Sequence, residues 1–185
     1  MRFKSLIQQV VLRRFLFFLL LLIITPLIAG IYGIVHDQLT YSISHEYYTK
    51  FKFYQFGFAN TGNEAIFINP TLYVAGVGFL ATWWMGIPVG LILALTSLRV
   101  KDPQRMFIIT LKAIVITMIV AFLTGITGLI YGNYVLAREG VDWWLPENLI
   151  NKKAFIAVGS MHNFSYLGGL TGLIAGIVYI IRQKK

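Results

Sequence analysis

Four long apolar stretches dominate the chain, at about residues 15–35, 72–98, 107–134 and 154–181. A helix crosses a bilayer core in about 20 apolar residues, so each stretch is long enough to span and several exceed the minimum. The pattern predicts an all-α integral membrane protein, a four-helix transmembrane bundle forming a single membrane domain over residues 1–185. Ahead of the first stretch, Phe3, Leu6, Ile7, Val10 and Val11 fall on one helical stripe, with Lys4, Gln8 and Arg14 elsewhere. This segment reads either as an interfacial amphipathic helix or as an extension of the first span. The basic flank Arg13-Arg14 and the apolar run after it share features with a signal peptide. The run is long and no A-x-A site follows, so an uncleaved anchor is expected.

Polar residues gather between the stretches, and the first gap, about residues 36–71, is the longest. Lysines and arginines number 16. Eleven lie at the N-terminus, around the second connection and at the C-terminus, against five on the other side (Lys50, Lys52, Arg138, Lys152, Lys153). The positive-inside rule then places both termini in the cytoplasm. Asp102 is the one acid expected inside; Asp37, Glu46, Glu64, Glu139, Asp142 and Glu147 fall outside.

The outer segment, about residues 36–71, is too long for a bare connector. Its run Lys50-Phe51-Lys52-Phe53-Tyr54-Gln55 alternates in polarity, Ala59-Asn60-Thr61-Gly62-Asn63 suits a turn, and Ala65-Ile66-Phe67-Ile68 suits a returning strand. A small β-hairpin over the outer mouth of the bundle is expected, the alternative being an aromatic belt without regular structure. Trp143-Trp144 suit the outer headgroup level, while Trp83-Trp84 fall deeper and are expected to line a packed or cavity-facing surface.

Composition removes several function classes. The chain of 185 residues is 57% hydrophobic and only 12% charged, well outside the range of soluble domains. The net charge of +9 sits at helix ends rather than along a groove, so nucleic acid is not the expected partner; the bilayer is. With no cysteine, thiolate catalysis, disulfides and Cys-ligated metal centres are excluded. No P-loop, dinucleotide fingerprint or G-x-S-x-G context occurs.

The glycine rows Gly168/Gly172/Gly176, Gly86/Gly90 and Gly128/Gly132 each put small residues on one helix face. They suit tight packing within the bundle; the other reading is a contact face for a second copy or a membrane-protein partner through Gly168, Gly172 and Gly176.

All three histidines fall on the outer side. His36 ends the first span, His45 lies in the outer segment, and His162 sits about two turns inside the fourth span, where an imidazole needs a partner or a cavity. His36, Glu46 and His162, with His45 and Asp37 as further candidates, offer nitrogen and oxygen donors that suit a divalent transition metal such as zinc, iron, manganese or copper(II). Asn163, Tyr47 and Tyr166 are candidates for orienting the imidazoles. The same groups also suit a proton relay or a purely structural hydrogen-bond network.

The segment His36-Asp37-Gln38-Leu39-Thr40-Tyr41, with Glu46-Tyr47-Tyr48 and Lys50-Phe51-Lys52-Phe53, resembles a pattern in bacterial four-span membrane proteins to which no function is assigned. The resemblance covers about a tenth of the chain and implies a bacterial inner-membrane location; it carries over no activity and no site residues. Three expectations therefore stand: a small membrane enzyme with an outward-facing metal site, an accessory subunit of a membrane complex, and a component of a channel or transporter.

Overall fold

The computed structural model describes residues 2–60 and 64–183, with residues 2–6 as backbone alone. Four helices are long and apolar enough to cross a membrane, as expected of a multi-pass membrane protein. The first is α1 (Arg2–Ile43). The second is α4 (Pro70–Thr82) continued by α5 (Gly86–Ser97), with a tight 3-10 turn, Trp83–Met85, between them. The third is α6 (Pro103–Tyr131), which runs through a π-turn, Gly132–Leu136, into the short α7 (Ala137–Glu139). The last is α8 (Lys152–Arg182). The short helices α2 (His45–Tyr47) and α3 (Phe53–Gln55) flank a π-turn, Tyr48–Lys52, in the outer segment.

Local sequence explains where these helices start and bend. Asp102 accepts a hydrogen bond from the Arg105 N–H at 2.7 Å and Pro103 takes the first helical position, which together start α6. Asn151 accepts from the Ala154 N–H at 3.0 Å and starts α8. Pro88 lacks an N–H and its ring crowds the Trp84 carbonyl one turn back, which accounts for the tightened turn between α4 and α5. Trp83 and Trp84 are 38% and 50% exposed, so these paired tryptophans face outward rather than into the packed interior or a cavity.

The helices associate as two pairs. In one, α1 lies against α4 and α5; in the other, α6 lies along α8, the most extensive contact in the molecule. Glycine sets both spacings, since bilayer lipid gives apolar side chains no drive to associate and close backbone approach must supply the contact. A Cβ on Gly33 would collide with the Gly78 carbonyl, and one on Gly78 with the Gly33 carbonyl. Gly168, Gly172 and Gly176 meet Ala121, Thr117 and Ala113 of α6, so this row faces inward within the chain. The pairs join at the end that carries both termini. There Leu21, Leu93, Val100, Met106, Ile109 and Ile180 form a buried cluster, and the Arg14 guanidinium donates to the Leu98 carbonyl. On the outward face of α1, Ile23, Leu27, Ile31 and Val35 are each more than half exposed, as a lipid-facing surface should be.

The outer segment differs from the expected hairpin. No strand occurs among the described residues, and residues 61–63, at the centre of the expected turn, lie outside them. Between His45 and Gln55 the buried positions are the pairs Tyr47/Tyr48 and Lys52/Phe53. That spacing of five matches a helix with one residue inserted, which is the π-turn. The alternating aromatics mimic a strand in sequence, but the apolar surface they must cover lies on one side, over Val74, Val77, Phe155 and Val158. Residues 64–69 follow as irregular chain, with Ala65 buried and its N–H donating to the Thr49 carbonyl at 2.9 Å.

Candidate metal and proton site

At the end of the bundle away from the termini, α1 and α8 bring three ionisable side chains into contact, all buried: His36 (5% exposed), Asp37 (2%) and His162 (5%). Their donor atoms lie within 4.8 Å of one another. Asp37 Oδ1 is 3.2 Å from His36 Nδ1 and 3.2 Å from His162 Nε2. The two imidazoles meet edge to face, with ring centroids 4.9 Å apart and planes at 88°.

The hydrogen-bond partners fix much of the protonation. His162 Nδ1 lies 3.0 Å from the Val158 carbonyl, which can only accept, so Nδ1 carries a proton. In a neutral imidazole Nε2 then presents a lone pair, and it is aimed at a carboxylate oxygen. Two lone pairs at this distance repel, so the contact calls for a proton between them, on the ring or on the carboxyl, or for a metal. For His36 two tautomers fit the contacts: Nδ1–H donating to Asp37 while Nε2 accepts from the Ser165 hydroxyl at 3.0 Å, or Nε2–H donating to that hydroxyl, which leaves the Nδ1 lone pair free for a metal. Gly125 of α6 leaves the space that this hydroxyl occupies.

A lid of aromatic and polar groups covers the cluster. Tyr47 stacks on His162 at 5.0 Å. Thr40 donates to the His36 and Asp37 carbonyls and accepts from the Tyr48 hydroxyl at 2.6 Å. Burial, with the Asp37 charge second, pushes the Tyr47 phenol up and the Tyr48 phenol well above its ordinary range, so both remain neutral. Lys52 is buried among Tyr47, Phe51 and Phe56, its ammonium 5.9, 5.7 and 5.4 Å from their ring centres. Burial lowers its pKa, and the charge of Asp37 opposes that shift.

The other candidates sit elsewhere. Glu46 accepts from Lys50 Nζ at 2.6 Å and from the Ile150 and Asn151 N–H groups at 2.9 and 2.7 Å. It ties α2 to the start of α8 and does not join the histidines. Partial burial pushes its carboxyl up, but Lys50 and the two backbone donors outweigh this and hold it below the usual range. His45 is exposed, its ring edge-on to Tyr41 at 4.4 Å. Asn163 borders a separate outer groove with Trp143 and Trp144. Tyr166 lines a cavity below the cluster. Sequence reasoning gave no role to Tyr32 or Thr40, although Tyr32, His36 and Thr40 recur at four-residue spacing and so share one face of α1.

That cavity lies between the two helix pairs. It runs from Thr25 and Ala29 past Tyr32 to His36, Asp37 and His162, and its walls are almost wholly apolar below the cluster. Its volume is about 100 Å³, where one water needs roughly 10–15 Å³. No protein-family profile, curated protein or solved structure matches this chain.

Proposed function

We propose that His36, Asp37 and His162 hold a divalent transition metal at the outer end of the bundle, as the reactive centre of a small membrane enzyme. The observation that carries this reading is the lone pair of His162 Nε2 directed at Asp37 Oδ1. Distance adds support. A charge-assisted N–H···O bond settles at about 2.7–2.9 Å. Donors of a tetrahedral site with bonds of about 2.0–2.1 Å lie about 3.3 Å apart. Both Asp37 contacts are 3.2 Å, while the three donors together span up to 4.8 Å, so binding would draw the two imidazoles closer to each other. Two imidazoles and a carboxylate are the donor set of zinc, iron(II) or manganese centres, and three protein donors leave a position free for substrate or water. Ser165 on His36 and Val158 on His162 would fix the ring orientations. The lysine and arginine distribution supports an outward-facing site with both termini in the cytoplasm.

Metal analysis of the full-length protein in lipid nanodiscs tests this. About one metal per chain is expected, falling at least tenfold in Asp37→Asn and in His162→Ala. A folded wild-type protein that neither carries nor takes up zinc, iron or manganese sinks the metal reading. The same contact would then be an imidazolium–carboxylate pair, visible as a doubly protonated His162 ring by nitrogen NMR, and the site would serve proton transfer.

A further inference from the structure

The cavity has a polar end and an apolar end, and its polar end is incompletely satisfied. Asp37 is 2% exposed, yet its Oδ2 has no hydrogen-bond partner among the described residues, and neither has the buried hydroxyl of Tyr32, five residues earlier on α1. A buried carboxylate oxygen without a donor costs on the order of several kcal/mol. Both residues border the cavity. From there the lining runs through Ala29, Thr25, Val89, Ile114 and Met118. From Thr25 to His36, α1 rises roughly 16 Å at about 1.5 Å per residue. One wall is open: a Cβ on Gly169 of α8 would meet nothing within 4 Å, and neighbouring Tyr166 is 40% exposed on the lipid-facing perimeter.

We propose that this cavity binds a membrane lipid with a neutral hydroxyl head, the chain lying between the helix pairs and the hydroxyl donating to Asp37 Oδ2 while it accepts from Tyr32. The unpaired carboxylate oxygen selects a donor, which disfavours esters, ethers and carboxylate heads. The apolar wall selects a slender aliphatic or prenyl tail. The gap at Gly169 gives a route from the bilayer that does not cross the aromatic lid. This inference stands on the cavity and on two unpaired oxygens, and it holds whether a metal or a proton lies between His162 and Asp37.

The test is photolabelling of the full-length protein in phosphatidylcholine nanodiscs. The probes are a long-chain alcohol with a mid-chain diazirine and its methyl ether. Label from the alcohol is expected on Val89, Ile114 and Met118, at least fivefold above the ether. Gly169→Phe, whose Cβ meets nothing within 4 Å, should cut that label at least fivefold while leaving metal content unchanged; Gly169→Leu should give an intermediate loss. Dioctanoylglycerol and decyl-ubiquinol serve as competitors, and whichever displaces the probe names the source of the hydroxyl; displacement by neither assigns the site to simple long-chain alcohols. Equal labelling by alcohol and ether, labelling indifferent to Gly169→Phe, or label confined to the outward face of α1 at Ile23, Leu27 and Ile31 would overturn the proposal.

Discussion

Ser165 shows how a single hydroxyl can matter at a buried site. It reaches His36 Nε2 from the facing helix and holds the orientation of that ring, its hydroxyl donating or accepting as the tautomer requires. Ser165→Ala is expected to weaken zinc binding by about 10–100-fold, the usual effect of removing a partner that orients a ligand, with helical content unchanged; titration against a competing chelator measures it. Glu46 acts differently. Its carboxyl is held below the usual range by Lys50 and two backbone donors. A group with a depressed folded pKa contributes stability that is present above its unfolded value, 4.5, and is lost as pH falls through the folded value. Thermal unfolding followed by tryptophan fluorescence should therefore show a melting temperature that drops as pH falls below 4.5. Glu46→Gln should be less stable at neutral pH and show a shallower acid limb. Sequence made His162 visible because an imidazole inside a span is rare, and His36 because it ends the first span at a similar depth. It ranked Glu46 ahead of Asp37 as their carboxylate partner, whereas Asp37 is the one in contact with both rings. Both acids are near His36 in the chain, and only the helical phase of α1 against α8 decides which one faces His162.

The spans were legible in the sequence because twenty apolar residues in a row admit few other fates, and the glycine rows marked several close contacts but not the one between Gly33 and Gly78. The outer segment was not, because an aromatic run has no distinctive period when a π-turn resets its phase at Tyr48–Lys52. Gly33 and Gly78 make the sharpest test of the first helix pair, since each occupies the space a Cβ would need on the other. Gly33→Ala must push α1 from α4, at a cost of about 1–3 kcal/mol from overpacking, read as earlier unfolding in a detergent titration. Because His36 lies three residues further along the same helix, metal affinity should fall with it. Gly169→Ala, one open position on α8, should leave stability unchanged.

Two helix pairs joined at the terminal end and latched at the other form a bundle whose orientation in the membrane can be read directly. The absence of cysteine makes every introduced thiol unique. Asp142→Cys should react with an impermeant maleimide in intact cells and Lys101→Cys only after permeabilisation; the reverse pattern would invert the assigned sidedness. The same architecture has a consequence for synthesis. Asp37 emerges with the first helix, but His162 follows 125 residues later, and the Glu46 latch closes on backbone 104 and 105 residues downstream. Throughout insertion of the first three spans, the nascent chain carries an acid at membrane depth with only its own neighbour, His36, beside it. The last helix is thus a checkpoint. Fragments that stop short of residue 152 lack the partner that His162 supplies to Asp37, and pulse-chase in cells is expected to show them degraded faster than the full chain.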